Sequence, residues 1–483
     1  MGAVSSDGVL IVGGGLAGLE VAHQLAKLEV PVTVVERGRD FRTGHISWEL
    51  GPEEALNLWL QPSTDEAFWR PWSTTTPPHF DGVSCLRSRL GGRSLYWHGV
   101  VLRVADRILR DHWPASVASE LMCSFQDGPS LYERVLAELV VWGPRPNRSV
   151  PPPSVSLGPY CLQLVPRAIQ SHPTLPRRWR AYSPLDRLVR DSPSHVTVLE
   201  ATQALRLLCD ASGVHGALVS DSRGKEREVL SPKVVLAAGA IVNGALVAAI
   251  REDPTSCALR PSGPTDHLVQ GFTARIDSNE MIDGIYYMPL SDDEVSSQED
   301  ANLFIELSSS DDGRVMEVWV CSEQVQSRQS ELRVTEGIGG TDLPYGIELS
   351  ASLSSRDLRE VARQRDVLQD VWNHLARALG VAASRLSFAE FGSQHSGVPD
   401  GNKRAALAPR EPAPWASPLG TEQHEGCNLR LGEELTGDAA VRGRSGLYVA
   451  GPSTFPRMGA ANPALTTLAL AMRLAHHLKG VST

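Results

Sequence analysis

The order of apolar and polar residues at the start of the chain predicts a strand, a glycine turn, a helix and a second strand. The apolar run GVLIV (8–12) leads into three glycines, and the stretch LAGLEVAHQLAKL (16–28) has the spacing of a buried helix. A second apolar run, VPVTVVER (30–37), follows directly. Two parallel strands need a crossover between them, so this order predicts a βαβ unit. We therefore expect an α/β protein.

Later patterns predict a second, antiparallel sheet. Residues 195–240 have the pattern of short strands that end in the buried strand KVVLAAG (233–239), and residues 265–355 alternate as antiparallel strands do. The last elements are the strand LYVAG (447–451) and a helix from Pro463 to about Leu478. A long helix is also predicted over 355–379, with an apolar face formed by Leu358, Val361, Val367, Val371 and Leu375.

The composition narrows the class of protein. The 483 residues carry a formal charge of −10, so no general positive field attracts nucleic acid. The seven cysteines are widely spread without a C-x-x-C pair, which favours a reducing compartment over a disulfide framework. The sequence shows neither an 18-residue apolar run nor a signal-peptide pattern. We expect a cytoplasmic protein that binds neither membrane nor nucleic acid. Its mostly arginine basic residues are typical of GC-rich bacteria.

The glycine turn carries the first chemical motif. Gly13, Gly15 and Gly18 form G-x-G-x-x-G between the first strand and its helix, where backbone amides at the helix N-terminus, including those of Leu16 and Ala17, can approach a pyrophosphate. An acid about 20 residues later is expected to bind ribose hydroxyls, and here it is Glu36, followed by Arg37. The motif predicts dinucleotide binding, without distinguishing NAD from FAD.

Three further segments resemble the flavin-binding elements of the glucose–methanol–choline (GMC) oxidoreductases. They are SRLGGRSLYWHG (88–99), KVVLAAGAIVNGALV (233–247) and GLYVAGPSTFPRMGAANPALTTLALAMRLAHHL (446–478), in the family's order and spacing. The resemblance covers about half of the chain. It implies a Rossmann-type FAD-binding domain with an α+β substrate cap built on an antiparallel sheet. It places seven further residues at the cofactor: Gly91, Gly92, Ser94, Ala238, Gly239, Gly451 and Pro463.

The resemblance also implies how FAD is held and how the chain is divided. Some relatives attach flavin through a histidine after the GG-x-S turn, but Tyr96 stands at that position and His98 is displaced, so we expect noncovalent FAD. The expected FAD-binding domain comprises 1–110, 190–262 and 424–483. The substrate-binding cap then comprises 111–189 and 263–423. The Trp- and Pro-rich stretch 41–84 predicts an ordered layer of loops, because disordered segments contain few tryptophans.

In the GMC family a histidine faces the flavin, and a histidine or asparagine follows about forty residues later. The second position matches Asn462. For the first, HEGCNLRLG (424–432) resembles the bacterial HEAGTLRMG version and assigns His424, although Cys427 and Asn428 replace its Gly-Thr. The alternative match, SPLGT (417–421), would put Ser417 at the histidine position and imply a lost base. We prefer His424.

These residues suit the oxidation of an alcohol to a carbonyl by hydride transfer to flavin N5. A neutral imidazole at His424 can take the hydroxyl proton, and the amide of Asn462 can hold the same oxygen. The expected substrate is a sugar-like or specialised-metabolite alcohol, and the electron acceptor is oxygen, a quinone or another carrier. Two alternatives remain: a flavin-containing lyase or other non-redox tailoring enzyme, and a catalytically silent flavoprotein.

Other histidines have weaker assignments. His98 and His395 are candidates for contact with the substrate. The pair Asp266–His267 resembles a pair that many family members carry, and we expect it to be structural. His476 and His477 lie at the end of the last helix without companion ligands, and we expect no metal site.

Overall fold

The computed structural model describes residues 4–5, 8–39, 44–142, 154–175, 177–191, 194–250, 260–276, 283–290, 300–310, 313–336, 343–392 and 411–480. The α-helices in these ranges are α1 (Leu16–Lys27), α2 (Ile46–Glu49), α3 (Pro52–Leu60), α4 (Asp106–His112), α5 (Ala115–Met122), α6 (Leu131–Leu139), α7 (Pro184–Asp191), α8 (Ala240–Ala248), α9 (Ser355–Ala378) and α10 (Ala464–Gly480).

The strands belong to several sheets. In chain order they are β1 (Val4–Ser5), β2 (Val9–Val12), β3 (Val32–Val35), β4 (Phe68–Trp69), β5 (Trp72–Thr74), β6 (Leu86–Arg87), β7 (Ser124–Phe125), β8 (Gly128–Pro129), β9 (Ser154–Leu157), β10 (Tyr160–Leu164), β11 (Ile169–Ser171), β12 (Trp179–Ala181), β13 (Val196–Leu199), β14 (Thr202–Asp210), β15 (Gly213–Asp221), β16 (Glu226–Leu230), β17 (Lys233–Leu236), β18 (His267–Ile276), β19 (Gly284–Pro289), β20 (Ala301–Ser310), β21 (Gly313–Glu323), β22 (Glu331–Glu336), β23 (Tyr345–Ser350), β24 (Ala413–Ser417) and β25 (Leu447–Val449).

A five-stranded parallel sheet forms the nucleotide-binding half, in the order β13–β3–β2–β17–β25. Its strands are short and apolar, and all four residues of β2 are buried, as expected for a parallel sheet covered on both faces. Helices α1 and α10 pack together beside it. The strands come from both ends and the middle of the chain, so the predicted Rossmann-type fold is confirmed.

A seven-stranded sheet, β24–β18–β21–β20–β19–β10–β9, is antiparallel throughout and forms the predicted second sheet. Helix α9 covers it, with Val361, Val371 and Leu375 buried. The expectation for Leu358 is wrong, because this first-turn side chain is 54% exposed. Sequence periodicity indicates which face of a helix is apolar, but not how far the covering sheet extends along it.

Helix α6, which precedes the antiparallel sheet in the chain, packs on the last helix. Helix α6 contacts α10, and the Tyr132 hydroxyl lies 2.8 Å from the Thr466 hydroxyl. Val117, Leu131 and Trp142 are buried in the core that surrounds the parallel sheet. Within the stretch 111–142, α6 therefore packs against α10, the last helix of the chain.

The Trp-rich stretch forms α2, α3 and short strands, of which β5 pairs with β23 in a small sheet with β22. The predicted ordered layer is thus present in the described residues. None of the helices in the described ranges combines the length and apolar character that crossing a bilayer requires.

Candidate active site

A cavity of about 310 Å³ opens at the carboxyl ends of β2, β3, β17 and β25. In open parallel sheets this edge is where ligands bind. Most residues that the sequence places at a cofactor or substrate line it: Gly13, Gly15, Leu16, Ala17, Glu36, Arg37, Gly92, Ser94, His98, Ala238, Gly239, His424, Gly451, Asn462 and Pro463.

The glycine turn between β2 and α1 requires its glycines for different reasons. Gly13 has φ of +110°, and a β-carbon there would lie 2.5 Å from the Ala237 carbonyl oxygen. A β-carbon at Gly18 would lie 2.0 Å from the Gly13 oxygen, so Gly18 lets helix and turn approach. At Gly15, in contrast, a β-carbon would meet no heavy atom of the described residues within 4 Å beyond its chain neighbours. The turn therefore presents its backbone to open space.

Glu36 ends β3 with its carboxylate at this turn. Its Oε2 accepts the N–H of Gly14 at 2.8 Å, and its Oε1 accepts the N–H of Gly38 at 2.6 Å. Burial raises the pKa of Glu36 to about 7, although both hydrogen bonds favour the ionised form. Arg37 Nη1 donates a hydrogen bond to the Ser88 hydroxyl at 2.7 Å. The acid thus lies where a ribose would follow the pyrophosphate.

The 88–99 segment is fastened to the glycine turn. The N–H of Gly91 donates to the Gly14 carbonyl at 2.8 Å, and the Ser94 hydroxyl donates to the Gly91 carbonyl at 2.6 Å. Gly91 and Gly92 have φ of +93° and +51°, in the left-handed region that favours glycine. Gly92 and Ser94 line the cavity, whereas Gly91 is not one of its lining residues.

A buried asparagine that the sequence analysis does not single out joins two other walls. Asn243 Oδ1 accepts the N–H of Ala238 at 2.8 Å, and its Nδ2 lies 3.3 Å from the Ala450 carbonyl and 3.1 Å from the Ser453 hydroxyl. Asn243 is therefore a link between the turn before α8 and the loop after β25. Its only sequence signal is a polar residue inside the apolar run of α8.

The loop that carries His424 is held by Asp266. The Asp266 carboxylate accepts three backbone N–H groups: His267 at 2.8 Å, His424 at 3.2 Å and Gly420 at 2.6 Å. These bonds join the start of β18 to the loop before the last strand of the parallel sheet. Asn462 lies just before the start of α10. Both His424 and Asn462 line the cavity.

His424 also contacts a second imidazole. The Nδ1 atoms of His267 and His424 are 2.8 Å apart, with ring planes at 87° to each other. His267 Nε2 lies 2.8 Å from the Gly459 carbonyl oxygen. Burial lowers the pKa of His267 to about 4. Desolvation, then His267 and Arg93, hold the pKa of His424 well below 6.5. Both imidazoles are therefore neutral near pH 7.

Several cavity residues were not predicted. Trp59 and Trp69 from the Trp-rich layer, with Trp97, supply aromatic surface. Glu422 also lines the cavity, and burial together with the nearby Glu317 raises the pKa of Glu422 to about 7. Trp59 and Trp69 belong to the Trp-rich stretch 41–84, which matches no motif, so the sequence points to that layer but does not single out these two side chains.

The remaining candidates are placed as follows. His98 lines the cavity, with its ring 5.8 Å from that of Trp179. His395 lies outside the described residues. Ser417 ends β24, buried to 1% exposure, and is not among the described residues that line the cavity. Cys427, in the altered Gly-Thr position, has φ of +61°.

Among the described residues, Asp266, His267 and His424 form the one group that could surround a metal ion, with ligand atoms within 4.8 Å of one another. Each is already engaged, the carboxylate by three backbone N–H groups and the imidazoles by each other. The expected absence of a metal stays a prediction.

A parallel sheet with a glycine turn after one strand and an acid at the end of its neighbour is typical of a dinucleotide-binding protein. Residues 342–471 match the GMC oxidoreductase family, and residues 8–46 match the pyridine nucleotide-disulphide oxidoreductase family. A C-glycoside 3-oxidase from Microbacterium trichothecenolyticum is 25% identical over an alignment of 344 positions that covers 66% of this chain and 60% of that protein. This alignment therefore spans less than two thirds of the relative.

Two solved structures share the fold over nearly the whole chain. Pyridoxine 4-oxidase from Mesorbium loti has a TM-score of 0.64 at 15% identity, and covers 99% of this chain and 100% of its own. Formate oxidase from Aspergillus oryzae, studied for FAD modification, has a TM-score of 0.64 at 14% identity, with 99% and 98% covered. Together these matches support an oxidoreductase of the GMC type, and the two family matches imply FAD as its cofactor.

The cavity fits this cofactor. Open space beside Gly15 leaves room for a pyrophosphate at the N-terminus of α1, and Glu36 offers carboxylate oxygens to ribose hydroxyls. The N-terminus of α10, at Pro463 and Ala464, also faces the cavity and can favour negative charge there. The residues that would hold FAD therefore come from both ends of the chain.

Proposed function

We propose that this protein oxidises an alcohol to a carbonyl compound with FAD, using His424 as general base and Asn462 to position the substrate oxygen. The observation that carries the proposal is that His424 and Asn462 line the same cavity as the glycine turn and Glu36. A base without a cofactor site, or a cofactor site without a base, would not support oxidation of an alcohol.

The protein groups have separate tasks. When bound, FAD supplies the acceptor for the hydride that leaves the alcohol carbon. His424, neutral because its pKa is held well below 6.5, accepts the hydroxyl proton. The amide of Asn462 donates to the same oxygen and fixes which C–H bond faces the cofactor. The tryptophans around the cavity exclude water from the reacting groups.

The substrate is proposed to be a sugar-like or specialised-metabolite alcohol. The C-glycoside 3-oxidase relative supports this choice, since its name describes oxidation on a glycoside. The aromatic faces of Trp59, Trp69 and Trp97 and the carboxyl of Glu422 offer the mixed apolar and polar lining that such a substrate requires. The electron acceptor is oxygen, a quinone or another carrier, and assays with each as sole acceptor distinguish them.

FAD is proposed to be held noncovalently. Tyr96 stands where some relatives carry the linking histidine, and its hydroxyl lies 3.2 Å from Arg89 Nη1. Acid denaturation of the purified protein should release all flavin into the supernatant. Flavin that stays with the precipitated protein would contradict this proposal.

The function is tested by incubating the holoenzyme with alcohols of several classes and weighing the products by mass spectrometry. The proposal predicts a product two hydrogens lighter than a substrate. A product of unchanged oxidation level would favour a lyase on the same scaffold, and no turnover with any class would favour a silent flavoprotein. The cytoplasmic location and the predicted domain boundaries stay predictions.

A further inference from the structure

The contact between His267 and His424 constrains where their protons lie. Two ring nitrogens 2.8 Å apart can form a hydrogen bond only if one carries hydrogen and the other a lone pair. A neutral imidazole has one N–H and one acceptor nitrogen. Fixing the proton on either ring therefore fixes it on the other.

The Gly459 carbonyl fixes the first proton. A carbonyl oxygen can only accept, so His267 Nε2, at 2.8 Å from it, carries the hydrogen. This carbonyl is itself held in place, because the N–H of Gly459 donates to Glu323 Oε1 at 3.1 Å, and Arg457 Nε donates to the same oxygen at 2.7 Å. Neutral His267 is thus left with a lone pair on Nδ1.

His424 must then donate from its own Nδ1. Its second nitrogen, Nε2, lies on the far side of the ring from His267 and carries a lone pair. His424 lines the cavity, whereas His267 is 1% exposed. The buried histidine therefore leaves the cavity histidine with its acceptor nitrogen free for another partner.

Charged groups around the pair do not compete for these ring nitrogens. The Asp266 carboxylate accepts backbone N–H groups, not ring N–H groups, from both histidines. Arg93 pairs with Glu425. Glu422 also lines the cavity. Among the described residues, the ring of His424 is hydrogen-bonded to His267.

We propose that His267 is a positioning residue that holds His424 as its Nδ1–H tautomer, so that Nε2 is the nitrogen that accepts the substrate proton. This inference rests on the proposed role of His424 as base. From sequence alone, we expect the Asp266–His267 pair to be structural. The contacts give the two residues separate roles. Asp266 holds the loop that carries His424, and His267 holds the tautomer of the His424 ring.

Neutron diffraction on the FAD holoenzyme tests the tautomer without relying on activity. The expected result is deuterium on His267 Nε2 and on His424 Nδ1. Deuterium on His424 Nε2 would overturn the proposal even if the protein oxidises alcohols. Conversely, the expected tautomer with no alcohol oxidation would leave this assignment intact and refute the proposed function.

Kinetics of two His267 variants provide a second readout. His267→Leu removes the acceptor, and His267→Asn retains an acceptor oxygen near the Nδ1 position. We expect the first to slow anaerobic flavin reduction by about 10- to 100-fold at unchanged FAD content, because the tautomer is no longer held. We expect the second to recover most of that loss.

A matched control is His23→Leu, which replaces another buried histidine, 8% exposed, outside the cavity lining of the described residues. We expect wild-type reduction rates from it. Equal rates in wild type and His267→Leu, with FAD bound in both, would refute the positioning role. So would an equal loss in the Leu and Asn variants when both keep the wild-type melting temperature.

Discussion

Arg93 and Glu425 form an ion pair that joins the flavin-binding segment to the loop of His424, with Arg93 Nη2 3.0 Å from Glu425 Oε1. A second bond links Arg93 Nη1 to Oε2, and the Ser84 hydroxyl donates to Oε1 at 3.1 Å. The Glu425 side chain is 3% exposed. The pair is therefore a bidentate clamp between segments more than three hundred residues apart in sequence.

Removing one partner of this ion pair should lower the free energy of unfolding. Glu425→Ala leaves the guanidinium without its counter-charge, and we expect a loss of about 3–5 kcal/mol in the free energy of unfolding, measured in urea. The control is Glu331→Ala, which breaks the ion pair between Arg333 and Glu331, side chains 69% and 46% exposed. That variant should lose less than about 1 kcal/mol. Equal losses would show that the Arg93–Glu425 pair does not clamp the loop.

The backbone at Cys427 leads to a prediction about side-chain shape. Its φ of +61° lies where the similar family motif has glycine. Cys427→Gly should change stability by no more than about 1 kcal/mol, because relief of strain offsets the lost thiol contacts. Cys427→Val should cost at least about 2 kcal/mol, since β-branched residues disfavour this conformation. Cys321→Val is the control. Cys321 lies in strand β21, where a β-branched residue fits, so this variant should leave the free energy of unfolding nearly unchanged.

The pH dependence of kcat/KM follows from the lowered pKa of His424. A base acts in its unprotonated form, so a pKa held well below 6.5 moves the loss of activity to lower pH. We expect kcat/KM to stay flat from pH 7 to below 6.5. Because Glu422 lines the cavity with a pKa of about 7, the profile should also be measured in Glu422→Gln. Half-loss at pH 6.5 or above in that variant would contradict the assignment.

Glu36 should contribute to FAD affinity through its carboxylate. Glu36→Gln keeps the shape but removes the charge that strengthens hydrogen bonds to ribose hydroxyls, and we expect FAD to dissociate about 10- to 100-fold more readily. The measurement is the Kd of the apoprotein for FAD by fluorescence quenching. Glu53→Gln, on the exposed side of α3, should leave Kd unchanged. An unchanged Kd in Glu36→Gln would remove Glu36 from the cofactor site.

Local signals predicted the parts of the fold that depend on neighbours in sequence. The strand, turn and helix around Gly13 and the helix after Asn462 follow from short motifs, because glycine conformation and apolar spacing are local properties. The links that complete the site are not local. His267 and His424 are 157 residues apart, and Arg93 and Glu425 are 332 apart. Only the folded chain brings them together.

The packing partner of α6 is likewise not a local property. Its amphipathic pattern indicates an apolar face but not the partner, which is α10, more than three hundred residues later. Cys427 shows the opposite case: its replacement of the family glycine was visible in sequence, while its left-handed conformation was not.

In the proposed reaction, His424 takes the proton from an alcohol that bound FAD oxidises. Anaerobic stopped-flow reduction of wild type, His424→Gln and Ser417→Ala by the same alcohol is the decisive measurement of this role. We expect rapid bleaching in wild type and Ser417→Ala, and bleaching at least about 100-fold slower in His424→Gln at equal FAD content. Wild-type bleaching in His424→Gln, or loss confined to Ser417→Ala, would contradict it.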